Sequence, residues 1–291
     1  MSASRPKGIL SVDVEDYFQV EAFADRVSRE SWPGYPSRVE ANTMKVLDLF
    51  DECTVKGTFF TLGWAAERCP AMVREIVSRG HEIAVHSYWH RLIYKLSPEE
   101  FRQDTRRAKD VVEQAAGRAA WGYRAPSYSI TRQSLWALDV LAECGFRYDS
   151  SIFPVRHDFY GIPDAPRTPF RLSTPSGSLL EFPITTFRLG AGPNWPVAGG
   201  GYLRIFPFLY TRLGIGRAVR EKVPVITYFH PWEVDPEQPR MEGRALSQFR
   251  HYTNLDGMTG RIRQLCGLID YEPFEAALRN PQWSDAPVWK P

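Results

Sequence analysis

Short apolar runs alternate with segments of helical periodicity through the first half of the chain. A short continuous apolar run is typical of a buried strand, whereas apolar residues three and four positions apart indicate a helix. The predicted strands are Lys7 to Val14, Gly57 to Leu62, His81 to Val85, Ala120 to Tyr123 and Phe146 to Tyr148. The predicted helices are Arg38 to Phe50, Pro70 to Ser78, Pro98 to Ala116 and Arg132 to Glu143. This alternation favours a parallel α/β barrel or sheet with its site at the carboxyl ends of the strands.

The second half of the chain departs from this alternation. Residues 154–215 contain many prolines, and they predict one barrel strand, Leu179 to Pro183, within an inserted lid. The run that begins at Val223 predicts the last strong strand. Further helices are predicted near Thr259 to Asp270 and Pro273 to Leu278. We expect one domain over residues 1–291, with the insertion at about 154–215 and a helical extension at about 235–291.

Composition and charge narrow the classes of function. The 36 basic and 34 acidic residues give no indication of a nucleic-acid partner. No apolar stretch has the length of a signal peptide or a membrane span, and the four cysteines lack metal-ligand spacing. We therefore expect buried free thiols and a cytoplasmic location. The 13% aromatic content suits the stacking of sugars and, equally, the packing of loops.

Two stretches carry candidate chemistry. His86 and His90 end an apolar run and are four residues apart, so that both imidazoles can reach one metal ion. The first predicted strand ends in three carboxylates, Asp13, Glu15 and Asp16. If that strand is regular, Asp13 and Glu15 point to the same side. One carboxylate could then bind metal while another acts as a base. The competing interpretations are core histidines and a solvated acidic turn.

Other polar residues also follow predicted strands. Arg124 could pair with Asp13 and keep it ionised and oriented. The turn that contains Ser127 could direct a backbone N–H at developing negative charge. His230 ends the last strong strand and is a candidate general acid, or else a packed core histidine. Asp149 could orient His230 or cap the segment that follows it.

The motifs taken in chain order resemble those of the polysaccharide deacetylases, the NodB-homology carbohydrate esterases. These motifs are Ser11-Val-Asp-Val-Glu-Asp16, His86-Ser-Tyr-Trp-His90, Arg124-Ala-Pro-Ser127, Tyr148-Asp-Ser-Ser151 and Phe229-His-Pro231. The segment Gly199 to Arg204, His230-Pro-Trp-Glu233 and the tail around His251 further resemble a bacterial subfamily. Members of that subfamily are found with exopolysaccharide-export and surface-adhesin gene clusters. The resemblance extends from about residue 7 to about residue 280.

The resemblance implies a distorted (β/α)7 barrel, with the loop-rich insertion and C-terminal helices added to it. It implies one divalent metal, zinc first and cobalt, nickel or manganese as alternatives, held by an acid of the first motif with His86 and His90. It assigns the general base to Asp13, the general acid to His230 and the residue that steadies the base to Arg124.

Two departures from the family pattern affect these assignments. The commonest first motif has two adjacent aspartates, whereas Val14 separates Asp13 from the next acids here. A branch of the family with an Asp-x-Asp pattern favours Glu15 as the metal ligand, and a preference for aspartate favours Asp16. In the arginine motif, Ser127 stands where the family has a tyrosine, and Tyr128 follows it.

The expected activity is hydrolysis of linear amide bonds, with removal of acetyl groups from N-acetylhexosamine units of a bacterial exopolysaccharide or its lipid-linked precursor. The alternatives are a cyclic amide hydrolase of the allantoinase-like branch, a non-catalytic carbohydrate-binding protein and, least favoured, a metal-dependent phosphoesterase. We expect no transmembrane segment, and the sequence is compatible with peripheral association with a membrane. The candidate substrate or oxyanion contacts are Ser127, Tyr128, Trp89, Glu181, Tyr202 and Trp232.

Overall fold

The computed structural model describes residues 6–197, 199–279 and 286–291. Its strands are β1 (Lys7–Val14), β2 (Thr58–Thr61), β3 (Glu82–Val85), β4 (Gly122–Tyr123), β5 (Tyr148–Asp149), β6 (Phe170–Thr174), β7 (Gly177–Glu181), β8 (Thr186–Arg188), β9 (Asn194–Pro196), β10 (Val225–Phe229) and β11 (Asp270–Glu272). Its helices are α1 (Val39–Glu52), α2 (Gly63–Arg68), α3 (Pro70–Ser78), α4 (Pro98–Ala116), α5 (Ala137–Glu143), α6 (Gly200–Ile205), α7 (Phe208–Arg220), α8 (Ala245–Tyr252), α9 (Met258–Cys266) and α10 (Phe274–Ala277).

Seven of the strands form a parallel barrel wall in the order β10-β1-β2-β3-β4-β5-β7. β6 adds to β7 as an antiparallel hairpin, and β11 pairs with the first residues of β1. The wall closes where Thr185, just after β7, donates its N–H to the Ile226 carbonyl of β10 at 3.3 Å. The predicted distorted (β/α)7 barrel is therefore confirmed.

β1 lies between β10 and β2 in this barrel. From Gly8 onwards every residue of β1 is buried, as expected for a parallel strand that is covered on both faces. Ser11 pairs with Tyr228 of β10 on one side and with Thr58 of β2 on the other. The carboxyl end of β1 therefore lies beside the carboxyl ends of its neighbours, and polar residues that follow these strands meet at one end of the barrel.

Most predicted elements occur with shifts of one or two residues at their ends. α4 begins with a capping box, in which Ser97 and Glu100 bond each other's backbone N–H, and it ends at Gly117 with φ 66°. The predicted helix from Arg132 is a 3₁₀ turn, Arg132–Ser134, followed by α5. The pattern of apolar and polar residues does not predict α2, α8, β11 or the β8–β9 hairpin.

The insertion contains more regular structure than the pattern indicated. Residues 154–215 hold β6 to β9, α6 and most of α7. The four cysteines are free thiols, but only Cys266 is buried and the other three are half-buried. No helix among the described residues has the length and apolar character needed to cross a bilayer.

Candidate active site

Glu15, His86 and His90 form a buried cluster at the carboxyl end of the barrel. One ligand atom from each lies within 4.8 Å of the others. Glu15 follows β1 and His86 follows β3, so that the register of the central strands brings them together. The His90 Nε2 atom is 2.7 Å from the Glu15 Oε2 atom.

The protonation states of this cluster suit a cation. The Nδ1 atom of His86 is 2.8 Å from the Arg124 carbonyl oxygen. A carbonyl can only accept, so this contact places the proton on Nδ1 and leaves the Nε2 lone pair for a metal. Burial lowers the pKa of His86 to about 4. Burial would raise the pKa of Glu15, but the adjacent His90 and the charges of His230 and His86 lower it to about 2.

The donor set fits a divalent metal of the zinc type. One carboxylate and two neutral imidazoles are the three protein ligands of many catalytic zinc sites, which keep a further position open. The Nδ1 atom of His90 is buried and has no hydrogen-bond partner among the described residues. A buried polar atom without a hydrogen-bond partner is unusual in a folded protein, and a cation bound at this cluster would give the cluster further polar interactions.

Two residues that the sequence analysis missed hold the histidine loop in place. Arg29 donates from Nε to the Trp89 carbonyl at 2.6 Å and from Nη2 to the His90 carbonyl at 3.1 Å. Asp104 of α4 accepts from the N–H groups of Tyr88 at 2.8 Å and Trp89 at 3.2 Å. Trp89 is half-buried and also packs against an aromatic ring 5.9 Å away. Its observed contacts therefore belong to the support of the metal ligands.

Asp13 and Arg124 form the buried ion pair that the strand ends predicted. The Arg124 Nη1 atom is 2.7 Å from the Asp13 Oδ1 atom and 2.8 Å from the Ser11 hydroxyl. Arg124 is fully buried, and it also donates to the Ser150 carbonyl at 3.1 Å and to the Ser150 hydroxyl at 3.1 Å. This network fixes the orientation of the carboxylate, because each donor of the planar guanidinium is directed.

His230 faces the same cluster from the end of β10. Its Nε2 atom lies 3.6 Å from Glu15 Oε1 and 4.0 Å from Asp13 Oδ2. Its Nδ1 atom is 2.7 Å from the Oε1 atom of Glu233. Burial opposes protonation of His230, but the bond to Glu233 and the charges of the neighbouring carboxylates raise its pKa to about 9. The ring is therefore held as a proton donor aimed at the cluster.

The prediction that Asp149 could orient His230 is wrong, because Glu233 occupies that position. Asp149 instead accepts from the Ser151 hydroxyl and lies beside Glu181, its register partner in β7. Burial raises the pKa of Asp149 to about 6 and raises that of Glu181 further. Glu181 accepts from the Ile152 N–H at 2.9 Å. The pair thus binds the segment that follows Ser150, whose carbonyl accepts from Arg124. No hydrogen bond between described residues joins the pair to the metal-ligand cluster.

Asp16 is also separated from the ligand cluster. Its carboxylate accepts from the Ser37 hydroxyl at 2.7 Å and from the backbone N–H groups of Arg38 at 2.9 Å, Val39 at 3.2 Å and Tyr17 at 3.1 Å. These contacts tie the end of β1 to the start of α1. Between the two candidate ligands, the structure thus brings only Glu15 to the histidines.

The remaining predicted residues are three aromatic side chains, Trp232, Tyr128 and Tyr202, and the turn residue Ser127. Trp232 donates from its indole N–H to Glu15 at 3.3 Å and stacks on His230 at a ring distance of 5.0 Å. Tyr128 packs edge-on against Tyr228. Tyr202 is half-buried, with its hydroxyl 3.0 Å from that of Tyr160. None of the hydrogen bonds among the described residues uses the Ser127 N–H.

Left-handed backbone is concentrated at the site. Ser87, His90, Ser127 and Tyr128 have φ values between 50° and 61°, a region that side chains other than glycine rarely adopt. A backbone in this region is strained, and it persists only where hydrogen bonds from the surrounding structure hold it in place. These residues lie in the two loops that carry the candidate metal ligands and the candidate oxyanion donor. Strained backbone of this kind is often found at functional sites.

Comparison with known proteins agrees with the fold. Residues 33–148 match the family model described as polysaccharide deacetylase, and residues 150–279 match a model described as a domain of unknown function, DUF3473. A solved structure of a Mycobacterium smegmatis protein, provisionally assigned as a polysaccharide deacetylase, is similar with a TM-score of 0.64 at 22% identity, covering 100% of this chain and 95% of that one.

Two curated relatives also align with part of the chain. It is 35% identical over 98 residues to the peptidoglycan-N-acetylglucosamine deacetylase of Bacillus cereus, covering 33% of this chain and 36% of the relative. It is 30% identical over 100 residues to the chitooligosaccharide deacetylase of a Bradyrhizobium species, covering 34% and 43%. The chain thus spans less than half the length of these relatives.

The fold and site define a (β/α)7 barrel with a Glu/His/His cluster. Residues 33–148 match the polysaccharide deacetylase family model, and the fold of the whole chain is similar to that of the solved Mycobacterium smegmatis structure. The site of this chain draws on both matched segments, since His86, His90 and Arg124 lie in the first and His230 and Glu233 in the second. Asp13 and Glu15 precede both.

Proposed function

We propose that this protein is a metal-dependent N-deacetylase that acts on N-acetylhexosamine units of a bacterial exopolysaccharide or its lipid-linked precursor. The observation that carries the proposal is the convergence of Asp13, Glu15 and His230 beside the two ligand histidines. The His230 Nε2 atom lies within 4.0 Å of both carboxylates. A base, an acid and a metal-ligand set therefore face one point, as amide hydrolysis requires.

The cation would be held by Glu15, His86 and His90. When bound, it supplies Lewis-acid polarisation of a carbonyl group and makes water more acidic. Zinc suits these ligands first, and cobalt, nickel and manganese are accepted by similar sites. The protein's part is to keep the His86 imidazole neutral and the Glu15 carboxylate ionised, as the pKa shifts of these two groups favour.

Asp13 acts as the general base. Its Oδ1 atom is bound by Arg124, so that its Oδ2 atom is the one that faces His230 and the cluster. This oxygen accepts the proton of the water that attacks the acetamide carbon. The fully buried guanidinium fixes the orientation of the carboxylate and prevents its rotation. The Ser127 N–H is the candidate donor to the oxyanion that develops on the carbonyl.

His230 acts as the general acid. Glu233 holds the proton on Nδ1, and the raised pKa keeps Nε2 protonated at neutral pH. Nε2 then donates to the leaving amine as the amide bond breaks. Trp232 stacks on the imidazole and limits its movement to the plane that points at the cluster.

The proposed substrate class is supported by the match to the polysaccharide deacetylase model and by half-buried aromatic side chains. The aligned relatives are named for peptidoglycan and for chitooligosaccharides, both of which contain N-acetylhexosamines. Trp89 and Tyr202 are the candidate platforms for sugar rings. We further propose that residues 1–291 act as one domain, because the sheet that contains β1 runs through both matched segments.

The test is acetate release from N-acetylglucosamine oligomers by the purified protein, with and without a chelator and with zinc restored. Chelator-sensitive acetate that is absent from Asp13→Asn supports the proposal. Acetate that persists without metal overturns the proposed metal dependence. No acetate, together with metal-independent hydrolysis of a cyclic amide, points to the cyclic amide hydrolases. An oligosaccharide binding isotherm with no acetate points to a non-catalytic binding protein. Either of the last two outcomes overturns the deacetylase assignment.

A further inference from the structure

The segment between Glu181 and Glu221 has an unusual charge distribution. No acidic residue occurs within it, although 34 occur in the whole chain, and it contains five arginines. Arg204 is buried in an ion pair, and Arg217 pairs with Glu221. The other three arginines have no ion-pair partner among the described residues; they are Arg188, Arg212 and Arg220. This part of the surface therefore has a local positive charge that the near-neutral total conceals.

Helix α7 presents apolar and basic side chains together to solvent. Leu209 is 52% exposed and Leu213 is 60% exposed, and the arginines at 212 and 220 are exposed beside them. At 3.6 residues per turn, these four positions fall within about 80° to 100° of arc on the helix. The opposite face is buried and contains Thr211, Gly214, Ile215 and Ala218. The exposed leucines are thus one stripe and not scattered single residues.

The β8–β9 hairpin extends this stripe. Tyr210 of α7 donates its hydroxyl to the Pro196 carbonyl at 2.8 Å, and its ring packs edge-on against Phe187 at 5.6 Å. Trp195 is opposite Phe187 in the strand register, so that both rings are on the face of the hairpin that meets α7. Trp195 is 46% exposed and Leu189, at the hairpin tip, is 66% exposed. Helix and hairpin therefore form one apolar surface with a basic margin.

We propose that α7 and the β8–β9 hairpin dock this protein on the surface of a membrane that contains anionic lipids. Exposed leucine and tryptophan side chains on a helix with basic neighbours are the features with which a protein lies in the interfacial region of a bilayer. The arginines complement phosphate headgroups, and the absence of acids removes repulsion. In this arrangement α7 lies parallel to the membrane surface, with its exposed leucines among the lipid headgroups. The inference rests on this surface alone and does not depend on the proposed deacetylase activity.

The experiment is co-sedimentation of the purified full chain with vesicles of phosphatidylcholine, alone or in equal parts with phosphatidylglycerol. We expect binding to the anionic vesicles, little binding to the neutral ones, and weakening by added salt. Leu209→Ser with Leu213→Ser should reduce the partition coefficient about tenfold or more, since two side chains lose apolar burial. Arg212→Gln with Arg220→Gln should reduce it by about fivefold for each arginine.

A matched control distinguishes binding through this surface from non-specific binding through other exposed apolar side chains. Leu246 and Phe249 of α8 are 58% and 54% exposed and lie outside the α7–hairpin surface. Leu246→Ser with Phe249→Ser should leave vesicle binding unchanged, and each variant should keep its circular dichroism spectrum. The proposal is overturned if the wild-type protein does not bind anionic vesicles, if the α7 pair binds as well as wild type, or if the α8 pair loses as much. Failure of deacetylation in a parallel assay would leave this result unaffected.

Discussion

Arg204 and Glu233 form a buried ion pair in which the Arg204 Nε atom lies 2.6 Å from the Glu233 Oε2 atom. The other oxygen of Glu233 binds His230. Arg204 also donates to the carbonyls of three residues at the end of α8, which are Arg250, His251 and Thr253. The candidate general acid is thus connected through one carboxylate to helices α6 and α8, both in the second matched segment.

Glu233→Gln tests the orientation of the general acid. The amide oxygen would turn to Arg204, so that the amide NH₂ would face His230 and disfavour a proton on Nδ1. We expect turnover on N-acetylglucosamine oligomers to fall about 10²-fold. Loss of a hydrogen-bond partner behind a functional residue usually costs less than this, and replacement of the carboxylate that orients a catalytic histidine costs more. Metal content, measured by elemental analysis, should stay at the wild-type level. Unchanged turnover would contradict the role given to Glu233.

Arg204→Met tests the structural part of the same pair. Removal of the guanidinium leaves the Glu233 carboxylate buried without its partner and three carbonyls without their donor. We expect a loss of roughly 3–5 kcal/mol in the free energy of unfolding, measured by urea denaturation. The exposed Arg212→Met should change that free energy by less than about 0.5 kcal/mol. Equal losses in the two variants would show that burial of the pair is not the cause.

Asp13→Asn and His230→Ala test the proposed acid and base. Each should lower turnover by roughly 10²–10⁴-fold, the usual contribution of a positioned proton-transfer group. Both proteins should bind one equivalent of zinc, because neither side chain belongs to the ligand cluster. Steady-state kinetics with calorimetric titration of zinc separate these effects. A variant that lost zinc along with activity would move its residue into the ligand set.

Glu15→Gln and Asp16→Asn distinguish the two candidate ligands. Glu15→Gln removes the charge that lies 2.7 Å from His90 and should abolish zinc binding in calorimetry. Asp16→Asn should retain zinc and lose stability, since the carboxylate accepts from one hydroxyl and three backbone N–H groups. The reverse result, with zinc lost only in Asp16→Asn, would refute the assignment of Glu15.

Glu82 predicts a pH dependence of stability away from the site. Burial raises its pKa from the ordinary 4.5 to about 7, against hydrogen bonds from Thr58, the Glu275 N–H and Tyr148 that favour the charge. Between these pH values the folded protein holds a proton that the unfolded chain has released, so that stability falls as pH rises. The loss reaches roughly 3 kcal/mol above pH 7.

Glu82→Gln should remove that dependence. Its free energy of unfolding, measured by urea titration at several pH values, should be flatter than that of wild type between pH 4.5 and 7. The exposed Glu99→Gln serves as the control and should keep the wild-type slope. If Glu82→Gln kept that slope as well, another group would be responsible for it.

The parts of the fold that could be predicted are those with a strong local pattern. The apolar run of β1 and the capping box of α4 identify those elements directly. Helix α8 was missed because only His251 among its residues is buried, while its leucine and phenylalanine are exposed, so that it has no apolar stripe. β11 is a short polar strand whose existence depends on pairing with β1, which local sequence does not encode.

The site shows the same division. The four-residue spacing of His86 and His90, taken together with the carboxylates that follow β1, predicted a metal cluster. Asp16 was not separable from Glu15, because its partners at residues 37–39 are set by the path of a loop. The partner of His230 had a local signal that was overlooked. Glu233 stands three residues after it and accepts the His230 backbone N–H at 3.0 Å, as in a capping box.

The position of β1 between β10 and β2 has a consequence for the order in which the protein matures. A ribosome makes Asp13 and Glu15 before the other residues of the site, but β1 cannot pair with β10 until that strand has emerged, more than two hundred residues after β1. Contacts of such sequence separation form late, because the loop they close is long. His230 meets the carboxylates only at that step. Catalytic competence should therefore appear abruptly, as the last event of folding, and nascent chains that stop before β10 should have none.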